Sequence, residues 1–389
     1  VNESASTISS RRSAASNSYK QWEVHMLYHQ RLGLRVSNFA ASEHVTDGHP
    51  DKVCDQIADA ILDTAIEQDP LSRVAIEVTG GHNKVFVTGE LTTSAELDVK
   101  NLVLQTYRDI GYKDDIDVVI KIEKQSRDIA EGVDAGGAGD QGVMVGYAVQ
   151  GCDELMPVPW VLARDLCLRL KKMRVEGTLP YLRPDGKSQI VMENGHVTHV
   201  TIACHHAEEV PLDSLYRDIY NHVIVPVVPG ISLDNTVING KGKFTKGGFE
   251  ADAGTTGRKI VVDSYGPSVE VGGGAYSGKD PTKVDRSAAY MCRLIAKSIV
   301  ASGMADEALV KVAYSIGIDR PSLLSVQTDR GPEEDAKISE KIRKDFDFRP
   351  RAIIERLGLQ HPNGWSYKET AAFGHFGRKH FPWEQALEL

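Results

Sequence analysis

Gly137-Ala138-Gly139-Asp140-Gln141-Gly142, followed at once by Val143-Met144-Val145-Gly146-Tyr147, is the stretch on which the fold turns. Its first six residues match the Gly-x-Gly-x-x-Gly fingerprint of dinucleotide-binding sheets. That fingerprint works only with a strand before it and a helix after it, because the helix N-terminus must face the pyrophosphate. Here Gly142 to Ala148 reads as a strand, so the doubly wound parallel sheet is set aside. Upstream, Pro50 opens a helix through about Glu67, with Val53, Ile57 and Ile61 on one face. Asp55, Asp59 and Asp63 recur at the same spacing and read as its solvated face. Strands at Arg73 to Val78 and Lys84 to Leu91, an amphipathic helix from about Ser94 and a strand through Val118 to Ile122 follow. Downstream, Trp160 to Met173 reads as a helix with Ala163, Leu166 and Leu170 inward. Asn194-Gly195 is a tight turn between strands Gln189 to Met192 and Val197 to Ala203. Lys259 to Val262 reads as a strand, Asp285 to Ala301 as a helix, Val310 to Ile316 and Leu323 to Gln327 as strands, and Glu333 to Phe346 as a charged helix. Strands in pairs between single helices favour α+β layers over a strictly alternating βαβ sheet.

The 389 residues suffice for two or three domains. With 41% hydrophobic and 25% charged residues the chain is neither disordered nor fibrous, and no stretch approaches the length of a membrane-spanning helix. A formal charge of -9 has the wrong sign for a protein that wraps nucleic acid, so any anion must be held by a local basic cluster. Five cysteines without a Cys-x-x-Cys pair read as reduced, mostly buried thiols in a cytosolic protein. Residues 1–37, with serines scattered around Arg11 and Arg12, show no apolar period and read as an extension outside the fold. The Ser and Arg bias suits a transit segment, but Glu3 and Glu23 dilute it.

Gly273-Gly274-Ala275-Tyr276-Ser277-Gly278-Lys279 reproduces the Gly-x-x-x-x-Gly-Lys of a P-loop, yet the next residue is Asp280 where magnesium would need a hydroxyl. The physics outlives the failed motif, since glycines bring backbone N–H groups close to phosphate and lysine supplies charge. Lys279, Lys283, Arg258 and Lys259 form the required basic cluster, with Asp285 as a candidate magnesium ligand. Gly48-His49-Pro50-Asp51-Lys52 presents an imidazole and a carboxylate at a helix N-terminus, itself an anion site. Together these features suggest a polyphosphate held by two magnesium ions. No covalent nucleophile stands out.

Six blocks together resemble one family, the methionine adenosyltransferases or S-adenosylmethionine synthetases. They are Gly48 to Lys52, Gly136 to Gly142, Leu182 to Lys187, Thr256 to Ile260, Gly272 to Arg286, and Gly374-His375-Phe376-Gly377-Arg378, in the family's order between about Phe39 and Glu384. The resemblance implies an α+β fold of three domains of related βαββαβ-like topology about a pseudo-threefold axis. We expect these at 38–135, 136–248 and 249–389, with exchange of segments between them. It implies a cytoplasmic homodimer with active sites at the interface, or a tetramer. The implied reaction is displacement of triphosphate from C5′ of ATP by methionine sulfur, then hydrolysis of tripolyphosphate to pyrophosphate and phosphate. Two magnesium ions would sit on Asp51 and Asp285 and a potassium ion at Glu77. His49, Lys187, Arg258 and Lys279 match catalytic positions. Asp185, Lys187, Lys243, Phe244, Asp252, Arg258, Lys259, Ala275 and Lys279 match ATP contacts beside His49. Glu90, Gln125, Asp140, Asp252 and Lys283 match methionine contacts, and a gating loop spans Gln125 to Ala135.

The chain departs from the family at Asn239 to Phe249, where extra glycines and lysines predict a flexible, basic adenine segment, and at Arg127, which stands where proline is usual. Rival readings are a P-loop-like nucleotide hydrolase and a noncatalytic paralogue paired with an active subunit. The second would be expected to have lost part of the set formed by His49, Asp51, Lys187, Lys279, Lys283 and Asp285.

Overall fold

The computed structural model describes residues 39–125, 136–240 and 242–389. The N-terminal extension and all of the gating loop after Gln125 lie outside the described residues.

Three sheets each carry one long helix. The first, in the order β1 (Phe39–Val45), β6 (Leu182–Glu193), β7 (His196–His206), β8 (Thr236–Ile238), lies on α3 (Val158–Val175), with the short α4 (Leu212–Ile219) in the connection from β7 to β8. The second runs β11 (Leu323–Thr328), β10 (Glu307–Tyr314), β5 (Gly142–Val149) and packs on α6 (Val284–Ala301). The third runs β4 (Asp117–Glu123), β3 (Lys84–Thr92), β2 (Arg73–Gly81), β9 (Gly254–Thr255) against α1 (Pro50–Gln68). Every sheet borrows a strand from a distant part of the chain: β1 pairs with β6, β5 with β10, and β9 with β2. β3–β4 and β7–β8 pair in parallel and the rest antiparallel, which gives the mixed α+β layering expected.

The stretch that rejects the dinucleotide fold behaves as read. Gly142 onward is β5, and a Cβ on Gly146 would come within 2.0 Å of the Cys292 carbonyl carbon, so that glycine lets α6 press on the strand. α6 buries every residue from Val284 to Val300. Asn194 and Gly195 both have positive φ, 47° and 85°, as a two-residue hairpin of type I′ requires. All five cysteines are free and buried. No helix among the described residues is long and apolar enough to cross a membrane.

Three expectations fail. The acid row of α1 is not solvated: Asp55 and Asp59 are fully buried, and Asp63 is half-buried. Lys259 to Val262 is no strand. Its β-branched residues find no partner strand, and Ile260–Asp263 forms one helical turn, α5, closed by Asp263 N–H to Lys259 O. The P-loop-like segment therefore lacks the strand that should precede it. The helix expected from Ser94 is α2 (Val99–Ile110), because the Asp69 carboxylate captures the Ser94 backbone and hydroxyl in a turn and Asp98 provides the cap.

The acid row explains how the chain is assembled. Residues four apart share one face of a helix. Asp51 accepts Thr255 N–H (3.0 Å), Asp55 accepts Gly257 N–H (2.9 Å) and Asp59 accepts Gly278 N–H (2.8 Å). Asp63 accepts the N–H groups of Tyr367 and Lys368, both at 2.8 Å. One helix face thus docks three remote segments of the C-terminal half. Asp59 also takes both terminal nitrogens of buried Arg286 at 2.7 Å, and Asp55 shares buried Lys52 with Asp263.

Candidate active site

α1 begins with proline at its first position and His49 as its cap, the imidazole Nδ1 accepting Asp51 N–H at 3.2 Å. Burial, reinforced by the Lys259 and Lys187 ammonium groups, pushes His49 down to about 3. The ring is therefore neutral near pH 7. With Nδ1 accepting, its proton lies on Nε2, leaving a hydrogen-bond donor and no general base.

Asp51 follows. Burial opposes its charge, but the hydrogen bond from Lys259 and the N–H of Thr255 outweigh burial and hold its pKa below the usual range. Lys259 Nζ lies 2.5 Å from Asp51 Oδ2, and Arg258 Nε 3.7 Å from Oδ1. Lys187 projects from β6 and is exposed. Asp185, two residues earlier, is pushed up to about 6 by burial while accepting Gly248 N–H at 2.9 Å, and Asp252 lies near enough to raise it further. His49, Asp51, Asp185, Lys187, Asp252, Arg258 and Lys259 therefore gather in one cluster.

A second cluster forms at the glycine-rich segment. Lys279 Nζ lies 2.7 Å from Asp285 Oδ2, and Asp285 Oδ1 accepts Gly274 N–H at 2.8 Å. Glu77, on β2, is raised by burial against the pull of Lys279. The clusters abut where a Cβ on Gly257 would come within 2.5 Å of the Ala275 Cβ. Asp280, which spoils the P-loop pattern, is buried on Lys283 Nζ, Thr282 and Val74 N–H. Lys283 is thereby held inside the fold.

Phe244 is half-buried and stacks on His205, with centroids 5.4 Å apart. Its backbone exchanges hydrogen bonds with His206, N–H to Nε2 at 3.1 Å and C=O from N–H at 2.9 Å. That pairing ties the Phe244 backbone to β7 within the segment where flexibility is expected; Lys243 stays exposed, and Lys241 lies outside the described residues. Glu90 lies on β3, and Gln125 offers a buried Oε1 with no partner among the described residues. Asp140 accepts the N–H of Gln141. Among the described residues no hydrogen bond or ion pair joins Glu90, Gln125 or Asp140 to either cluster. Gly137 and Gly139 owe their identity to close backbone contact with Gly317 and Thr282, not to a pyrophosphate.

The carboxylates of Asp51 and Asp285 are hard oxygen donors, each beside an ammonium that would otherwise meet an anion. One carboxylate apiece suits magnesium completing its shell with water and phosphate. No cluster of three or more His, Cys, Asp or Glu side chains that could cage a metal occurs among the described residues. Lys52, Asp55, Asp59, Asp263 and Tyr112 frame the site without having been anticipated; for Asp55 and Asp59 the signal was their four-residue spacing.

Fold and site define a three-sheet α+β protein in which a neutral histidine lies beside one carboxylate–lysine pair and a second such pair sits in the adjoining cluster. Comparison with protein families matches S-adenosylmethionine synthetase N-terminal (residues 37–130), central (135–244) and C-terminal (246–385) domains. The chain is 47% identical over 381 residues to an S-adenosylmethionine synthase of Clostridium tetani, covering 90% of this chain and 97% of that protein. It is 46% identical over 385 residues to one of Thermus thermophilus (90% and 97% covered) and 43% identical over 395 residues to one of Staphylococcus epidermidis (92% and 96%). The chain belongs to the S-adenosylmethionine synthetase family.

Proposed function

We propose that the protein makes S-adenosylmethionine from ATP and L-methionine by direct displacement of triphosphate at C5′, and then hydrolyses tripolyphosphate to pyrophosphate and phosphate. The carrying observation is that both carboxylates suited to magnesium, Asp51 and Asp285, are already paired with the ammonium groups of Lys259 and Lys279. Such sites are preset for a metal-bound polyanion. A thioether sulfur attacks without losing a proton, so the adenosyl transfer needs no general base, in keeping with the low pKa of His49. His49 would donate its Nε2 proton in a hydrogen bond to the departing oxygen. Lys187, Arg258, Lys259 and Lys279 would neutralise the charge that grows on the triphosphate, which fixed groups do without reorganising. Magnesium on Asp51 and Asp285, when bound, would screen the phosphates and hold their geometry; Glu77 would bind potassium. Glu90, Gln125, Asp140, Asp252 and Lys283 would serve methionine, and Asp185, Lys243, Phe244, Asp252 and Ala275 the nucleoside. A homodimer in the cytoplasm is part of the proposal. Exposed apolar side chains on the sheets, Phe86, Val119, Ile120, Val143 and Leu323, support the dimer, and five free thiols support a reducing compartment.

The hydrolase alternative is disfavoured by the burial of Asp280. A noncatalytic role is disfavoured by the intact charged set. The test is incubation with ATP, methionine, magnesium and potassium, with the nucleoside and phosphate products separated. S-adenosylmethionine with pyrophosphate and phosphate is expected; ADP in its place would overturn the proposal.

A further inference from the structure

With His49 taken as the donor proposed above, we infer that Tyr112 is a positioning residue for His49: its hydroxyl fixes the Gly48–His49 peptide and so the place of the imidazole. The turn from Thr46 to His49 is gripped on two sides. Toward β6, Thr46 N–H donates to Gly186 O at 3.0 Å and Thr46 Oγ1 to Pro184 O at 2.7 Å. Gly48 lies so close there that a Cβ would come within 2.3 Å of the Pro184 Cβ. From the other side the Tyr112 hydroxyl donates to Gly48 O at 2.5 Å.

The donor is itself rigid. The Tyr112 ring stacks on Tyr107 (centroids 4.7 Å, planes 11° apart), and Tyr107 stacks on Phe249 (5.6 Å, 4°). Gly248, with φ +59°, makes room for the Tyr112 hydroxyl, which a Cβ there would meet at 2.4 Å, so the hydroxyl packs closely on that backbone. Burial keeps the phenol protonated by raising its pKa well above the ordinary value. The same hydroxyl thus touches the histidine turn and the segment that follows Phe244, tying the triphosphate side of the site to its nucleoside side. Phenylalanine would keep the stack but leave Gly48 O unpaired and the peptide free to tilt. In a site that works by alignment, a shift near 1 Å costs about a hundredfold.

The test is a double-mutant cycle read in kcat. Tyr112→Phe should lower kcat about ten- to a hundredfold, with the ATP and methionine KM values changed less than about twofold. Added to His49→Gln, it should change kcat by less than about twofold, because the group it positions is gone. Losses that multiply would make Tyr112 a general structural residue and overturn the inference. Retention of more than half the turnover by Tyr112→Phe would do the same, while a deficit in His49→Gln alone would leave the proposed function standing. Full turnover in His49→Gln would refute the role of His49 and take the inference with it. Tyr107→Phe, which loses only the bond to Asp114, should match wild type; a loss equal to that of Tyr112→Phe would assign the effect to the stack and overturn the role of the hydroxyl. If Tyr112→Phe does not fold, Gly248→Ala, which presses a methyl on the ring, must show the same kcat deficit for the inference to stand.

Discussion

Replacing Lys279 by methionine removes one positive charge from the site while keeping length and volume. The backbone there is held independently of the ammonium. Lys279 bridges to Ala75, its carbonyl accepts Arg286 Nη1 at 3.1 Å, and Gly278 on its other side is bonded to Asp59 and Ile76. The stability cost should be modest, because the lysine side chain is 21% exposed and Asp285 keeps the Gly274 N–H. We place it at about 1–2 kcal/mol, between an exposed pair and a buried one. Catalysis should suffer more. A preorganised charge facing a developing polyanion is worth roughly 3–4 kcal/mol, so kcat should fall about a hundred- to a thousandfold. Lys279→Arg, which restores charge with a different shape, should recover part of that loss. The assay is S-adenosylmethionine formation at saturating substrates and magnesium, beside a denaturant melt of each variant. Lys279→Met with more than half of wild-type turnover would refute the reasoning, for the lysine would then be only the partner of Asp285.

Asp51→Asn and Asp285→Asn should each raise the magnesium needed for half-maximal rate, since an amide is a weaker, neutral ligand; titrations that superimpose on wild type would show that these aspartates serve only Thr255, Gly274 and the lysines. Phe244→Ala should raise the ATP KM about tenfold, in line with ~1–3 kcal/mol for a base on an aromatic face, and leave the methionine KM unchanged; an unchanged ATP KM would mean that its stacking on His205 is its whole role. Burial lowers His44 and His49 to about 3 and His205 to about 4, so between those values and 6.5 the unfolded chain binds more protons and acid lowers stability. Asp63, pushed up to about 7 by burial, acts oppositely, because below pH 7 the folded state takes up its proton first. Asp63→Asn should therefore lose more stability than wild type between pH 7.5 and 5, by up to ~1.4 kcal/mol per pH unit; urea midpoints that fall no further than those of wild type would contradict this.

Much of the layering was legible because it rests on local signals. Pro50 starts α1, Asn194-Gly195 sets a hairpin, and the switch from period 3.6 to period 2 separates α3 from β6. The His49–Asp51 and Lys279–Asp285 groups were legible because glycine and proline fix where a backbone can approach an anion. The errors share one cause: burial decided by partners far along the chain. Val261 and Val262 have strand propensity, but a strand needs an edge to pair with, and none reaches them. Distant partners act at Phe244 too, where lysines suggest freedom and His206, nearly forty residues earlier, accepts the backbone N–H.

The acid row of α1 shows what sequence periodicity can and cannot decide. Spacing alone places Asp51, Asp55, Asp59 and Asp63 on one helix face, and composition alone makes solvent the natural destination for four carboxylates. Burying them would be costly if each faced a hydrophobic wall. What reverses the balance is that each meets backbone N–H groups from turns at Thr255, Gly257, Gly278 or Tyr367, and two also meet buried cations, Lys52 and Arg286. Those turns carry Arg258, Lys259 and Lys279. The helix that begins at His49 therefore does more than point an imidazole at the site: its carboxylates draw the loops bearing the positive groups onto the same face. Asp51 belongs to both systems, as the first member of the docking row and as the carboxylate proposed for magnesium. Structure and chemistry meet on that residue, so Asp51→Asn tests the metal site alone only if Thr255 N–H finds its acceptor in the amide oxygen.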